Sequence, residues 1–376
     1  MKDKLVALTF SNEHYLTIKV ATLLALNIRR LQFMFKQHHV ALATAIVTGV
    51  IGSTTVSADI ANFYKGKTIT IAIPYGPGGT YDKYGSTFAN HLGKHIPGSP
   101  NVIVQHRPGA GGAKAMNFTY NVAPKNGTFG MVPLDAAVVN QLLRPDRMRY
   151  DASKFQWLGS SNQTNSVMVV RSDTGVKKWQ DLRKIQIIGA GSGKFNSGYM
   201  NPKLASALLG FKMQYISGYK GSSRSILAIE QGEAQMSSFN WLTWDSKVPH
   251  WFGGDRPFAR AILQNGVDKD PALPNVPMLA NLVKESQKPL VAFIASMGPI
   301  GRGVTMPPGV PKARIAALRS AYDKMNTDPA FEAELKKRRL RLIPSSGKKI
   351  QSIVNKALKA SSPSVIKQVR KLIFGK

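Results

Sequence analysis

Two glycine-rich turns stand between strand-like and helix-like segments, and this repeated arrangement is the strongest constraint on the fold. The first turn, residues 74–82 (PYGPGGTYD), follows the β-branched run 68–73, and the second, residues 107–112 (RPGAGG), follows the run 101–105. The composition of both runs predicts buried strands. In open α/β sheets, ligands bind beyond the carboxyl ends of strands, where glycine admits close approach and helix-start amides attract negative charge. The pair of turns therefore predicts an anion site.

The rest of the chain alternates between the same two kinds of segment, which is typical of a parallel or mixed sheet with helices on both faces. One β/α unit is interrupted by a second and then resumes. We therefore predict two α/β domains, residues 59–165 with 286–376 and residues 166–285, joined by two crossings around a hinged cleft. In this scheme residues 290–294 form a strand, and residues 241–257, which carry three tryptophans, are irregular.

Residues 34–58 have the pattern of a secretory signal. A polar, partly basic start is followed by the apolar core 40–52 and by the small-residue exit Val56-Ser57-Ala58. This core is too short for a membrane span, which needs about 20 residues. We predict that residues 1–58 are a leader, that Met34 is the true start and that the mature protein is exported to the periplasm. A membrane-retained amphipathic leader is the alternative.

The composition limits the chemistry that the chain offers. Its 376 residues contain no cysteine, which excludes a disulfide framework, thiol catalysis and cysteine-ligated metals. The net charge of +31 attracts anionic partners. The densest basic run, residues 336–339, has helical apolar spacing around it, which favours a solvated helix face over nucleic-acid binding. We expect no nucleic-acid partner, no metal and no cofactor; a cationic protein of the envelope or of nucleic acid is an alternative.

Motifs of catalysis are incomplete. Residues 189–195 imitate a phosphate-binding loop, but the spacing is one residue short and Phe195 replaces the hydroxyl that binds magnesium. Residues 109–114 lack the third glycine of a dinucleotide fingerprint. His91 and His95 are four residues apart, yet no third metal ligand is evident, and surface histidines are favoured. A binding protein is therefore expected rather than an enzyme; the alternative is a hydrolase or transferase that uses the glycine turns as an oxyanion or phosphate site.

Six motifs in order resemble those of one family. They are YKGKTITI (64–71), PYGPGG (74–79) with Asp82 following, RPGAGG (107–112), APKNGT (123–128), GYKG (218–221) with QGEAQ (231–235), and PPGVP (307–311). Together they make residues 62–360 similar to the Bug-type extracytoplasmic solute-binding receptors of tripartite tricarboxylate transporters.

The resemblance implies a fold like the type II periplasmic binding proteins, with two α/β domains around a hinged cleft. It also implies a monomer that captures a small organic anion, a carboxylate, without catalysis and passes it to membrane transporter subunits. The expected ligand-binding residues are Tyr75, Gly76, Gly78, Gly79, Thr80, Asp82, Gly109, Ala110, Gly111, Gly112, Asn162, Ser192, Gly193 and Asn240. Neutral N–H and hydroxyl donors are expected to bind the anion, because they avoid the desolvation cost of a buried counter-charge.

Several side chains leave two interpretations open. Asp82 is expected to complement the helix dipole or to cap a turn, and its alternative role is contact with a ligand ammonium or hydroxyl. Lys194 and Lys220 are expected to be solvated, and alternatively pair with a second ligand carboxylate. The tryptophans of residues 241–257 are expected to pack or to line a lobe edge, and alternatively form the wall of a site for an aromatic ligand.

Overall fold

The computed structural model describes residues 58–163 and 165–375. The predicted leader lies outside the described residues except for Ala58. Among the helices that the structure describes, none combines the length and the apolar character needed to cross a membrane.

The strands belong to two sheets. In chain order they are β1 (Thr68–Ile73), β2 (Asn101–His106), β3 (Phe129–Met131), β4 (Gln156–Ser160), β5 (Ser166–Arg171), β6 (Ile187–Gly191), β7 (Met213–Ser217), β8 (Met236–Asn240), β9 (Ala259–Asn265), β10 (Gly303–Met306) and β11 (Ser345–Ser346). The first sheet has the order β11-β4-β10-β3-β1-β2 and the second has the order β7-β6-β8-β5-β9. Both sheets are mixed, since parallel pairs lie beside antiparallel ones.

Helices connect and cover the strands. In chain order they are α1 (Thr80–Leu92), α2 (Ala113–Asn121), α3 (Ala137–Leu143), α4 (Ser197–Leu209), α5 (Ser222–Glu230), α6 (Trp241–Lys247), α7 (Lys288–Ala295), α8 (Lys312–Asn326), α9 (Pro329–Lys337), α10 (Gly347–Ala360) and α11 (Pro363–Phe374). The last helix packs against α3, α4 and α7.

The parallel register of β1 and β2 places the two glycine turns side by side. Thr68 pairs with Asn101, and the pairing continues without a shift to Ile73 and His106. Each strand therefore ends at the same edge of the first sheet, and the turns begin there together. Buried isoleucines of β1 fix this register, because a slip by one residue would turn them away from the core.

The chain leaves the first sheet after β4, builds the second sheet with β5 to β9 and returns with β10. One large apolar core lies around the first sheet and two smaller ones lie around the second. A fourth cluster joins α3, α4, α7 and α11. The domain boundaries at residues 165 and 285 stay a prediction, although the change of sheet occurs close to the first of them.

Two sequence predictions about local structure were wrong. Residues 290–294 lie in the helix α7 and do not form a strand. A short, continuous apolar run does not distinguish a buried helix from a buried strand by its periodicity. Pro289 lies in the first turn of α7, a position where proline is favoured and indicates the start of a helix. Residues 241–251 are not irregular either, because α6 and a short 3-10 helix occupy them. Asn240 starts α6 by accepting a hydrogen bond from the Thr243 amide at 3.1 Å.

The tryptophans of this segment pack inside the protein. Trp244 has no exposed surface, and its indole nitrogen donates to the Val167 carbonyl of β5 at 3.1 Å. Trp241 and Trp251 are buried in the same apolar cluster. The three tryptophan side chains therefore pack in the core, which is the first of the two interpretations given above, and they hold α6 against the second sheet.

We predict that Trp244→Ala lowers the free energy of unfolding by about 3–5 kcal/mol, since it removes a fully buried side chain and leaves a cavity. Urea titration followed by circular dichroism measures the change. Trp179→Ala, at a half-exposed position, is the matched control and is expected to cost much less. A loss below about 1 kcal/mol for Trp244→Ala would contradict the packing described here.

Candidate ligand-binding site

A cavity lies where turns from both sheets meet. The first sheet contributes the start of α1, with Gly79, Thr80 and Tyr81. The second sheet contributes the start of α5, with Gly221 and Ser222. The cavity is also lined by Phe239 and Asn240, at the end of β8, and by Arg302. We refer to this space as the first cavity.

Two helices begin at the first cavity with glycine as their N-cap. Gly79 precedes α1 and Gly221 precedes α5, and no side chain of the described residues caps either helix. Their first-turn amides are therefore available to a ligand, and the helix dipoles add partial positive charge. A Cβ atom on Gly79 would lie 3.0 Å from Ser222 Oγ, so the two helix starts approach closely. This geometry attracts an anion to the cavity.

Arg302 brings a full positive charge to the same cavity, although only 3% of the residue is exposed. Its guanidinium carbon lies 3.7 Å from the centre of the Tyr81 ring, and Nη1 donates to the Gly301 carbonyl at 3.1 Å. Nη1 is 3.7 Å from Asp135 Oδ2, too far for a hydrogen bond. Nε is buried and has no partner in the part of the chain that the structure describes. A guanidinium with a free donor is suited to a carboxylate ligand.

Sequence reasoning missed Arg302 and expected neutral donors alone. The available signal was weak: an arginine between two glycines, Gly301 and Gly303, at the start of a strand. Gly301 has φ +56°, and a Cβ there would lie 1.5 Å from the Asn162 carbonyl oxygen. The glycine therefore lets the two crossing segments touch, and this contact places Arg302 at the cavity.

Tyr75 connects the first glycine turn to the second turn and to the second sheet. Its hydroxyl donates to the Gly111 carbonyl at 2.9 Å and accepts from Asn196 Nδ2 at 2.5 Å. Burial, and to a smaller extent the neighbouring Tyr81 and Asp135, raises the pKa of Tyr75 well above its usual value. The phenol therefore stays protonated and keeps its donor function.

The second glycine turn lines a separate cavity, which we call the turn cavity. The backbone of the turn needs glycine, because φ is +142° at Gly109 and +94° at Gly112. A Cβ on Gly193 would lie 2.8 Å from the Gly111 nitrogen, so the turn meets the second sheet through bare backbone. Tyr75 and Ser192 line both the first cavity and the turn cavity.

The structure distributes the predicted ligand-binding residues over three places. Those in the first cavity are Tyr75, Gly79, Thr80, Ser192 and Asn240. Those in the turn cavity, besides the shared Tyr75 and Ser192, are Gly109, Ala110, Gly111, Gly112 and Gly193. Those that line neither cavity are Gly76, Gly78, Asp82 and Asn162.

The four residues outside the cavities have structural contacts instead. The Gly76 amide donates to the Lys220 carbonyl at 3.0 Å. Asp82 accepts a hydrogen bond from the Gly78 amide at 2.7 Å, so it closes the first turn as the capping interpretation expects. Asn162 is fully buried, and its carbonyl accepts from the Arg302 amide at 3.0 Å. Asn162 thus supports the arginine from outside the cavity.

Other candidate side chains also find definite surroundings. Lys194 and Lys220 are exposed, in agreement with the solvated interpretation. His91 is buried, which corrects the prediction of a surface histidine, and its Nε2 lies 2.7 Å from Glu334 Oε2. His95 instead lies 3.0 Å from an oxygen of Asp328. The two histidines therefore contact different carboxylates.

Helices α1 and α6, which follow strands of different sheets, are joined by polar contacts beside the first cavity. The hydroxyls of Thr80 and Thr243 are 2.9 Å apart. Lys83 Nζ donates to the Ser246 carbonyl at 3.0 Å, and Lys247 Nζ donates to the Gly78 carbonyl at 2.7 Å. Burial lowers the pKa of both lysines from the usual value. These contacts hold the cleft closed in this structure.

Two mixed α/β halves that close over an anion-attracting cavity define a periplasmic-type solute-binding protein with a type II-like fold. The match extends to sequence, since residues 88–370 fit the model of the family described as "Tripartite tricarboxylate transporter family receptor". The chain belongs to this family. The family consists of receptors, so membership confirms the expectation of a binding protein rather than an enzyme.

Known proteins resemble the chain over most of its length. A UPF0065 protein of Bordetella pertussis is 24% identical over 281 residues, which cover 72% of this chain and 80% of that protein. The periplasmic binding protein BugD has a TM-score of 0.65 at 16% identity and matches 82% of this chain and 98% of its own. MatC from Rhodopseudomonas palustris, solved with bound malate, has a TM-score of 0.62 at 16% identity, with 80% and 99% covered. These matches confirm the predicted fold and the family resemblance.

We predict that Lys247→Met weakens ligand binding about fivefold, because the variant loses a half-buried ammonium contact that joins the closed lobes, worth about 1 kcal/mol. Calorimetric titration with a carboxylate that binds the unmodified protein measures the change. Lys324→Met, at an exposed position of α8, is the control and should leave the affinity unchanged. Equal affinities for both variants would show that the α1–α6 contacts do not contribute to closure.

Proposed function

We propose that this protein captures a small carboxylate in the first cavity and delivers it to the membrane subunits of a tripartite tricarboxylate-type transporter. The observation that carries this proposal is the buried Arg302 with a free Nε, placed beside the uncapped starts of α1 and α5. The malate bound to MatC supports the carboxylate class. Membership in the receptor family supports the transporter partnership.

The chemistry of the cavity suits one ionised carboxylate. The guanidinium supplies a charged donor, and first-turn amides of the two helices supply neutral donors with partial positive charge. Hydrogen bonds to a charged group contribute roughly 1.5–3 kcal/mol each. Micromolar affinity corresponds to about 8 kcal/mol. Because association itself costs several kcal/mol, the hydrogen bonds reach this value only together with the further contacts that form when the cleft closes.

Capture couples to closure because the cavity wall comes from both sheets. A solute that touches the start of α1 and the start of α5 at once has its full contacts only in the closed form. It therefore shifts the population toward that form by its differential affinity. The proposed receptor is a periplasmic monomer, and the predicted leader supports export.

We predict that Arg302→Gln weakens carboxylate binding by about 10- to 100-fold, which corresponds to the loss of one charge-assisted interaction of roughly 1.5–3 kcal/mol. Calorimetric titration of purified protein with a panel of mono- and dicarboxylates measures the effect. The matched control is Arg314→Gln, which removes another guanidinium that stacks on an aromatic ring, at 3.4 Å from Phe63.

The Arg314 variant should keep the affinity of the unmodified protein. The proposed function is wrong if no carboxylate of the panel binds the unmodified protein. The assigned role of Arg302 is wrong if Arg302→Gln and Arg314→Gln bind equally well. A partial recovery with Arg302→Lys would show that the positive charge, rather than the guanidinium shape alone, contributes to binding.

A further inference from the structure

A smaller cavity adjoins the first cavity, and we call it the inner cavity. Ser197 and Asn240 line both spaces, so a ligand held in the first cavity has a direct neighbour there. The polar wall of the inner cavity comes from Asp135, Ser166, Asn201 and Asn265. Its chemistry differs from that of the first cavity, where positive charge collects.

The hydrogen bonds fix which atom Asn265 leaves without a partner. Asn201 Nδ2 donates to the Ser197 carbonyl at 3.1 Å, so Asn201 Oδ1 must act as the acceptor on the other side. Asn265 Nδ2 donates to that oxygen at 2.7 Å. Asn265 Oδ1 is then a buried carbonyl that has no donor within residues 58–163 and 165–375. A buried acceptor of this kind calls for an N–H or O–H group.

Asp135 adds a second acceptor and a negative charge to the wall. The residue is 8% exposed, its Oδ1 accepts from the Ala136 amide at 2.8 Å, and its Oδ2 accepts from Ser197 Oγ at 3.1 Å. Each carboxylate oxygen has capacity for a further hydrogen bond. Arg302 offsets part of this charge, since its Nη1 lies 3.7 Å from Asp135 Oδ2, while its buried Nε has no hydrogen-bond partner among the described residues.

The donors of the inner cavity are largely used within the protein. Ser166 Oγ shares a hydrogen bond with Ser238 Oγ at 2.9 Å, and the amides of Asn201 and Asn265 are engaged as described. Asn240 Oδ1 accepts from Thr243, which leaves the Asn240 amide as a donor at the wall shared with the first cavity. A second carboxylate in the inner cavity would face the charge of Asp135. An apolar group would bury both acceptors unpaired.

We propose that the ligand is a carboxylate whose far end carries a hydrogen-bond donor, a hydroxyl or an ammonium, and that Asp135 and Asn265 select this end. The proposal rests on the proposed function, because the carboxylate end is assigned to Arg302 and the helix starts. The two ends of the ligand thus meet opposite electrostatic environments, positive in the first cavity and negative in the inner one.

Matched ligands test the selection. At four and six carbons, the unmodified protein is titrated calorimetrically with the plain alkanoate, the ω-hydroxy acid, the ω-amino acid and the α,ω-diacid. At one length or both, we expect the hydroxy or amino acid to bind at least about tenfold more tightly than the alkanoate and the diacid, because only a donor satisfies the buried acceptors. The hydroxy and amino acids of one length show which donor is preferred.

The outcomes separate the two proposals. If no ligand of the series binds, the proposed carboxylate function fails and this inference fails with it. If alkanoates or diacids bind as tightly as the donor-bearing acids, the carboxylate function stands and the selection by Asp135 and Asn265 is overturned. The second outcome includes the case in which only water fills the inner cavity.

Variants assign the selection to the named atoms. Asn265→Leu removes one of the two acceptors, so the preference for the donor-bearing acid over the alkanoate should fall by about fivefold, which corresponds to the loss of one hydrogen bond, while Asp135 still contributes. Asn326→Leu is the matched control, because Asn326 is also buried but its Oδ1 accepts from Ser161 outside the inner cavity, and the preference should persist.

Asn265→Asp keeps the acceptor and adds charge, so it should raise the affinity for the amino acid relative to the hydroxy acid. It also provides a test if Asn265→Leu fails to fold. An unchanged preference in a folded Asn265→Leu variant, or no relative gain for the amino acid with Asn265→Asp, would overturn the assignment.

Discussion

The burial of the Arg302 guanidinium is the interaction on which the organisation of the site depends. A charge removed from water is costly unless neighbouring groups compensate it. Here the compensation is partial: the face of the Tyr81 ring, one carbonyl and a carboxylate at 3.7 Å. Because two uncapped helix starts reinforce the positive potential, the cavity favours a negatively charged guest over water.

The same residue connects the binding site to the crossings between the sheets. The Arg302 amide donates to the Asn162 carbonyl, and the Arg302 carbonyl accepts from the Ser161 amide at 2.7 Å. These bonds join the chain that leaves the first sheet to the chain that returns to it. Arg302 therefore stands at the crossings between the two sheets.

Much of the fold follows from local sequence rules. The β-branched runs before the glycine turns predict β1 and β2, and the turns do begin at one edge of the sheet, because the register from Thr68 to Ile73 has no shift. The prediction of a strand at residues 290–294 was wrong, because an apolar run without periodicity fits a buried helix and a buried strand equally well. Local sequence rules identify such elements only where the apolar residues are periodic or where a residue that starts or ends a helix or strand marks the boundary.

The site is harder than the fold to predict from the sequence, because its main contacts join parts of the chain that are distant in sequence. The burial of Arg302 depends on Tyr81 and Asp135, which lie more than 160 positions earlier in the chain. Tyr75 lines both cavities, and its hydroxyl joins Gly111 to Asn196, two residues far from it in the chain. No spacing rule encodes either arrangement, so the glycine turns indicated the edge of the sheet but neither the burial of Arg302 nor the presence of two cavities.

The contact between Gly111 and Gly193 has a kinetic meaning. The two surfaces meet without side chains, and a Cβ on Gly193 would lie 2.8 Å from the Gly111 nitrogen. Because no side chain inserts between the two surfaces at this contact, they can separate there without rotamer changes. The hydrogen bonds that join Lys83 to Ser246 and Tyr75 to Asn196 must break when the two halves separate, whereas the Gly111–Gly193 contact adds no side chain that has to move.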